Sequence, residues 1–253
     1  MRKTPHKTMY ILPNAFTVGS IVCGFFAIII ALRGDNGPVD ILRASLLIGL
    51  SMILDGMDGR VARLTNTQSA FGVQLDSLAD VVAFGVAPAV VIYEWALSGL
   101  GIAGVFAAST FIVCGAARLA RFNVQAAEDD GASTHFTGIP IPCAAGVLAS
   151  FMLMNISAGR SSAGLEWLSV LLVLVMSGLM VSTVKYPTFK KASGKKGAPW
   201  KPLAVVGLIT AASVLWDFYL AIHVGLMLYI ASGLAKSAIG IVRKRVTRFS
   251  QLP

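Results

Sequence analysis

An all-α, polytopic membrane fold with about eight transmembrane helices is predicted, each helix from an apolar run of roughly 20 residues, enough to cross a bilayer. Three observations carry that prediction. The 253 residues are 56% hydrophobic and only 13% charged, with a mean hydropathy of +0.75, well above the balance of an ordinary soluble domain. Apolar runs recur along the whole length and leave no room for a separate soluble domain. Strict period-two alternation, which a membrane β-barrel needs, is absent, and runs such as LLVLVMSGLM are apolar on every side.

The first span, 10–32, is opened by Pro13-Asn14, where proline suits the first helical turn; it is too long, with the wrong flanks, for a cleaved signal peptide. The turn-rich RGDNGPVD at 33–40 leads to the second span, 41–63. The third, 72–97, follows a short loop, which makes it the antiparallel neighbour of the second. The fourth is 101–122. The polar segment 123–137, NVQAAEDDGASTHFT, is expected to be partly ordered over a site. Gly138-Ile-Pro140-Ile-Pro142 makes an irregular lead-in to the fifth span, 138–157, and irregular backbone at membrane depth usually lines a cavity. The sixth span, 165–184, is followed by a basic segment, 185–201, read as a flexible linker on the membrane surface. The seventh and eighth, 202–220 and 222–242, lead to a basic tail, 243–253. The whole chain, 1–253, reads as a single integral membrane domain.

Of the 21 lysines and arginines, all but Arg33, Arg43 and Arg160 fall on the side that holds the N-terminus. The positive-inside rule therefore makes both termini cytoplasmic. It puts the loop between spans two and three at the inner face of the membrane, which is expected to be the plasma (inner) membrane. The formal net charge of +9 sits in a juxtamembrane band, which points to anionic lipid headgroups and away from nucleic acid. Cys23, Cys114 and Cys143 lie in three different spans without CxxC spacing and read as small buried hydrophobes. His135 has no metal-ligand partner at useful spacing, and Asn155-Ile-Ser157, though it matches a glycosylation acceptor, lies at a membrane edge. No Walker loop, GxGxxG or HExxH is present.

The exception to this apolar pattern is DGMDGRVARLTNTQSAFGVQLDSLAD at 55–80. Helical spacing puts Asp55, Asp58, Gly59 and Ala62 on one stripe of span two, and Gly72, Asp76 and Asp80 on one stripe of span three. On antiparallel neighbours the stripes face each other, so four carboxylates converge. Four such groups cannot all stay ionised beside a low-dielectric slab unless something cationic sits among them. Arg60 and Arg63 neutralise part of that charge. Mg²⁺ or Mn²⁺, which prefer oxygen and bridge carboxylates to phosphates, are the economical remainder, as a pair of ions. Gly59, Ala62 and Gly72 leave room for a bulky ligand against the backbone. A lone intramembrane aspartate can be a structural hydrogen-bonding residue; four on two facing stripes are not explained that way. An EF-hand is excluded, since DGMDGR lacks its alternating ligands and terminal Glu.

The pattern Asp55-x2-Asp58-Gly59-x2-Ala62-Arg63-x8-Gly72-x3-Asp76-x3-Asp80 resembles the signature of the CDP-alcohol phosphatidyltransferase family at every fixed position. That resemblance implies the family's helical membrane fold and transfer of a phosphatidyl or similar group from a CDP-activated donor to an alcohol, with release of CMP. It implies that Asp55, Asp58 and Asp76 bind a first metal and that Asp80 helps hold a second and is the general base. It places Gly59, Ala62, Arg63 and Gly72 around the CDP moiety; Asn14 either contacts the nucleotide or simply caps span one. It also implies a homodimer. The stretches LPNAFTVGSIVCGFFAI (12–28), LDSLADVVAFGVAPA (75–89), ARLARFNV (117–124) and FTGIPIPCAAG (136–146) resemble those members of the family, bacterial and archaeal, whose acceptor is serine. The implied substrates are CDP-diacylglycerol and L-serine.

Serine brings a carboxylate, and arginine's planar fork suits one. Arg118 and Arg121, three apart at the inner end of span four, are candidates to hold it, one or both, with Asn123 nearby; the alternative is that they obey the positive-inside rule or touch lipid phosphate. Other acceptors, glycerol 3-phosphate or an inositol phosphate, would call for a denser basic cluster near the metals. A cation transporter is the rival of a different class, but the acids gather near one surface and no inverted repeat is visible.

Overall fold

The computed structural model describes residues 11–33, 37–65, 69–128, 135–187 and 217–249. Among them are seven helices: α1 (Ile11–Ala31), α2 (Pro38–Thr65), α3 (Ala70–Leu100), α4 (Ile102–Glu128), α5 (Ile141–Ser157), α6 (Glu166–Val181) and α7 (Phe218–Phe249). Two three-residue strands, β1 (His135–Thr137) and β2 (Lys185–Pro187), pair antiparallel with Phe136 opposite Tyr186. Residues 14–31, 70–100, 102–125 and 218–235 are long and apolar enough to cross a membrane, and α5 and α6 are shorter apolar helices. Charge explains why α2 is missing from that set: its second half carries Asp55, Asp58 and Arg60. The protein is an integral membrane protein built of helices. Most of the predicted seventh span, the linker beyond Pro187 and the last residues of the tail lie outside the described residues.

The chain runs up and down, so the start of α1, the end of α2, the start of α3 and the end of α4 share one end of the bundle, here called the motif end. α1 packs along α2, α4 along α6, and α5 against both α2 and α7. α5 is the central helix. Ile141, Ala144, Ala145, Val147, Leu148 and Met152 are all fully buried, and its small residues let neighbours approach closely, as packing within a bilayer requires. At the far end, Ser157 donates to the Asp217 carboxylate, which also caps the first N–H groups of α7, and half-way along Ser150 bonds His223.

α3 is not uniformly α-helical. Val81–Val86 and Tyr93–Leu97 are wound as π-helix, and the Ala87 N–H reaches back five residues to the Val82 carbonyl. Pro88 gives the reason: it has no N–H to donate, and a wider turn accommodates the gap in the ladder. This widened turn begins directly after Asp80. Here α1 also comes closest to α3, for a Cβ on Gly24 would stand 2.8 Å from the Ala83 Cα.

The lead-in to α5 is irregular, as expected from Gly138-Ile-Pro140-Ile-Pro142. Gly138 has φ +79°, a left-handed conformation that suits glycine, and a Cβ there would collide with the Met180 carbonyl. Its N–H bonds Val184 O at 2.8 Å and Ile139 N–H bonds Leu179 O at 3.1 Å, so the freed backbone groups are satisfied by the end of α6. The β1–β2 pairing continues this join. It departs from the sequence reading of 185–201 as wholly a flexible linker, because its first three residues are a paired strand.

Candidate functional site

The helix α2 continues past the apolar span to Thr65, so Asp55, Asp58, Gly59 and Ala62 belong to one helix as their spacing predicts. α3 begins just after Ser69, whose side chain caps it by accepting from Gly72 N–H at 3.0 Å. That cap sets where Asp76 and Asp80 emerge. Asp55, Asp76 and Asp80 each bring one carboxylate oxygen to a common spot, all within 4.8 Å of one another. Asp55 and Asp76 are half-buried and Asp80 is buried, with its Oδ1 lacking any hydrogen-bond partner.

Asp58 differs from the other three. It lies close enough to feel the charges of Asp55 and Asp76, yet it is outside the three-oxygen cluster, and its Oδ2 accepts a 2.7 Å hydrogen bond from Thr17 Oγ1 of α1. Sequence reasoning did not single out Thr17. The signal was there in the spacing: Asn14, Thr17 and Ser20 recur every three residues on an otherwise apolar helix. Ser20 meets Ser51 of α2 at 2.7 Å, and the Asn14 Oδ1 lies 3.7 Å from where a Gly72 Cβ would stand. Asn14 and Gly72, both expected around the nucleotide, are thus neighbours.

Among the described residues no lysine or arginine forms an ion pair with these carboxylates; the pair present, Arg43 with Asp40, is on the opposite half of α2. Arg60, expected to neutralise part of that charge, is exposed and forms no ion pair among the described residues; it sits on a different face of α2 from Asp55. The side chain of Arg63 lies outside the described residues. Three convergent carboxylates with an unpartnered buried oxygen and no paired cation form a donor set that fits a hard divalent ion. Around Gly59 a side chain would meet nothing within 4 Å, and Ala62 is half-buried, so the end of α2 borders open space.

Arg118 and Arg121, expected on one face, diverge. Arg118 is 7% exposed, and its guanidinium lies 5.4 Å from the Phe122 ring centroid and is close enough to Asp80 for the two charges to attract. Among the described residues it makes neither a hydrogen bond nor an ion pair. Arg121 turns the other way and donates to the carbonyls of Val181, Met180, Ser182 and Thr137 at 2.8–3.2 Å. Those are the orphan carbonyls at the end of α6 and one of β1, so Arg121 acts as a helix cap. Asn123 Nδ2 donates to Ser77 Oγ at 2.9 Å, joining α4 to the stretch between Asp76 and Asp80.

Residues 10–184 match the family described as CDP-alcohol phosphatidyltransferase. A Helicobacter pylori (strain ATCC 700392 / 26695) protein named CDP-diacylglycerol–serine O-phosphatidyltransferase is 41% identical over 187 residues, 74% of this chain and 76% of that one. The Bacillus subtilis (strain 168) protein of the same name is 37% identical over 185 residues, 72% of this chain and 93% of its own. An archaetidylserine synthase of Methanothermobacter thermautotrophicus is 34% identical over 178 residues, 70% of this chain and 69% of that one.

Proposed function

The chain belongs to the CDP-alcohol phosphatidyltransferase family, and from that premise we propose that it moves the phosphatidyl group of CDP-diacylglycerol to the hydroxyl of L-serine, giving phosphatidylserine and CMP. The observation that carries the reading is the meeting of Asp55, Asp76 and Asp80 beside the buried Arg118. The choice of serine follows the names of the relatives.

In the proposed reaction the serine hydroxyl oxygen bonds to the phosphorus that carries diacylglycerol. The bond from that phosphorus to the bridging oxygen breaks, and CMP leaves with the electron pair. Asp80 takes the hydroxyl proton, and its unpartnered Oδ1 supports that role. Asp55, Asp58, Asp76 and Asp80 would hold two divalent ions, Mg²⁺ or Mn²⁺, which when bound neutralise the pyrophosphate and stabilise the leaving group. Asn14, Gly59, Ala62, Arg63 and Gly72 border the CDP moiety. Arg118 takes the serine carboxylate, with Asn123 beside it. Arg121 is spent on backbone carbonyls and frames the site instead. The site faces the cytoplasm at the plasma (inner) membrane, the acyl chains stay in the bilayer, and the enzyme works as a homodimer, a state that chemical crosslinking in native membranes would report.

The test is direct. Purified protein is incubated with CDP-diacylglycerol, Mn²⁺ or Mg²⁺ and labelled serine, and CMP release is followed together with the lipid product. Serine-dependent release is expected. Turnover with glycerol 3-phosphate or an inositol phosphate but none with serine would overturn the acceptor, and metal-dependent ion flux in liposomes without any turnover would overturn the chemistry.

A further inference from the structure

We infer that Thr17 is a positioning residue for the metal-holding carboxylate of Asp58, an inference that rests on the reading of Asp58 as a metal ligand. Thr17 is 5% exposed and its hydroxyl donates to Asp58 Oδ2 at 2.7 Å, across 41 residues of sequence. Asp58 has no cation of this chain within ion-pair reach among the described residues, and it stands outside the cluster made by Asp55, Asp76 and Asp80. A carboxylate on the last turns of a helix, beside two others, is free to swing toward solvent to escape their repulsion. The threonine bond removes that freedom and holds Asp58 in one orientation before any ion arrives. Hydrogen bonds to ligating carboxylates are a general means of fixing them, and their loss typically weakens metal affinity by about 10–100-fold.

α1 is suited to this. Its polar stripe touches α2 twice, at Thr17 with Asp58 and, one turn farther from the motif end, at Ser20 with Ser51. The second contact is pure helix packing. It supplies an internal control for loosening of α1 from α2.

The test titrates Mn²⁺ alone into detergent-solubilised protein and reads free Mn²⁺ by electron paramagnetic resonance, with thermal melting of each variant in parallel. Thr17→Val keeps the shape and removes the hydroxyl, so Mn²⁺ binding should weaken by about tenfold. Thr17→Ser should restore it, and Ser20→Ala should leave it unchanged. Unaltered Mn²⁺ binding in Thr17→Val overturns the proposal, as does an equal loss in Ser20→Ala, which would mark general loosening. Asp58→Asn separates this from the underlying reading: weakened binding there with none in Thr17→Val sinks Thr17 alone, while unchanged binding in Asp58→Asn removes Asp58 as a ligand. Should Thr17→Val fail to fold, Thr17→Ser against Thr17→Ala gives the same comparison, with weaker Mn²⁺ binding expected only for alanine.

Discussion

Asp80 is 9% exposed and, among the described residues, its Oδ1 has no hydrogen-bond partner and Arg118 nearby, 7% exposed, has no paired anion. A buried carboxylate oxygen left without a partner calls for an explanation, and a bound ion or substrate would supply one here. Asp80→Asn keeps the size and removes the base, so turnover should fall by about 10²–10⁴-fold with the melting temperature retained, and an active Asp80→Asn enzyme would break the assigned mechanism. The two arginines should separate kinetically. Arg118→Ala removes the proposed charge-assisted bonds to the serine carboxylate, each worth about 1.5–3 kcal/mol, so the apparent KM for serine should rise by about tenfold or more while that for CDP-diacylglycerol stays put. Arg121→Ala instead releases four backbone carbonyls. It should lower stability by about 2–3 kcal/mol and reduce turnover for both substrates alike, which a melting curve beside a KM comparison will resolve.

The elements divide the work of placing the site. α2 delivers Asp55 and Asp58, the Ser69 cap starts α3 so that Asp76 and Asp80 face them, and α4 adds Arg118. The π-turn forced by Pro88 begins directly after Asp80, where α1 meets α3 at Gly24. A side chain at Gly24 would push the helices apart at the level of the acids. Gly24→Val should therefore cost about 1–3 kcal/mol in stability and lower turnover with it. Full activity with an unchanged melting temperature would show that α1 does not brace this part of α3. Only the first of these features leaves a trace in the sequence. Pro88 inside an apolar run is a visible sign of disturbed winding, but no periodicity says that the disturbance takes the π form. The pairing of β1 with β2 was not legible, since three-residue strands whose centres, Phe136 and Tyr186, are 50 positions apart leave no local pattern.

At the scale of the whole molecule, the acids of two helices and the arginine of a third come together at one end of the bundle. On the proposed reading a divalent cation holds this cluster together, so chelation with EDTA should abolish turnover and lower the melting temperature; Mn²⁺ or Mg²⁺ should restore both, and Na⁺ should not. Retained activity in metal-free buffer would remove the ions from the reaction. The helical membrane class followed from composition alone, because burying backbone in lipid leaves helices as the economical choice for such runs. The family and the acid stripes followed from spacing, because positions three and four apart on a helix share a face whatever packs against it. Tertiary packing decided what that spacing could not. Three of the four acids share one spot while Asp58 is held by Thr17, and Arg118 packs over Phe122 while Arg121 caps α6. These outcomes depend on the rotation of one helix against another, and that rotation is set by contacts such as Gly24 on Ala83 and Gly138 on Met180, between residues far apart in the chain.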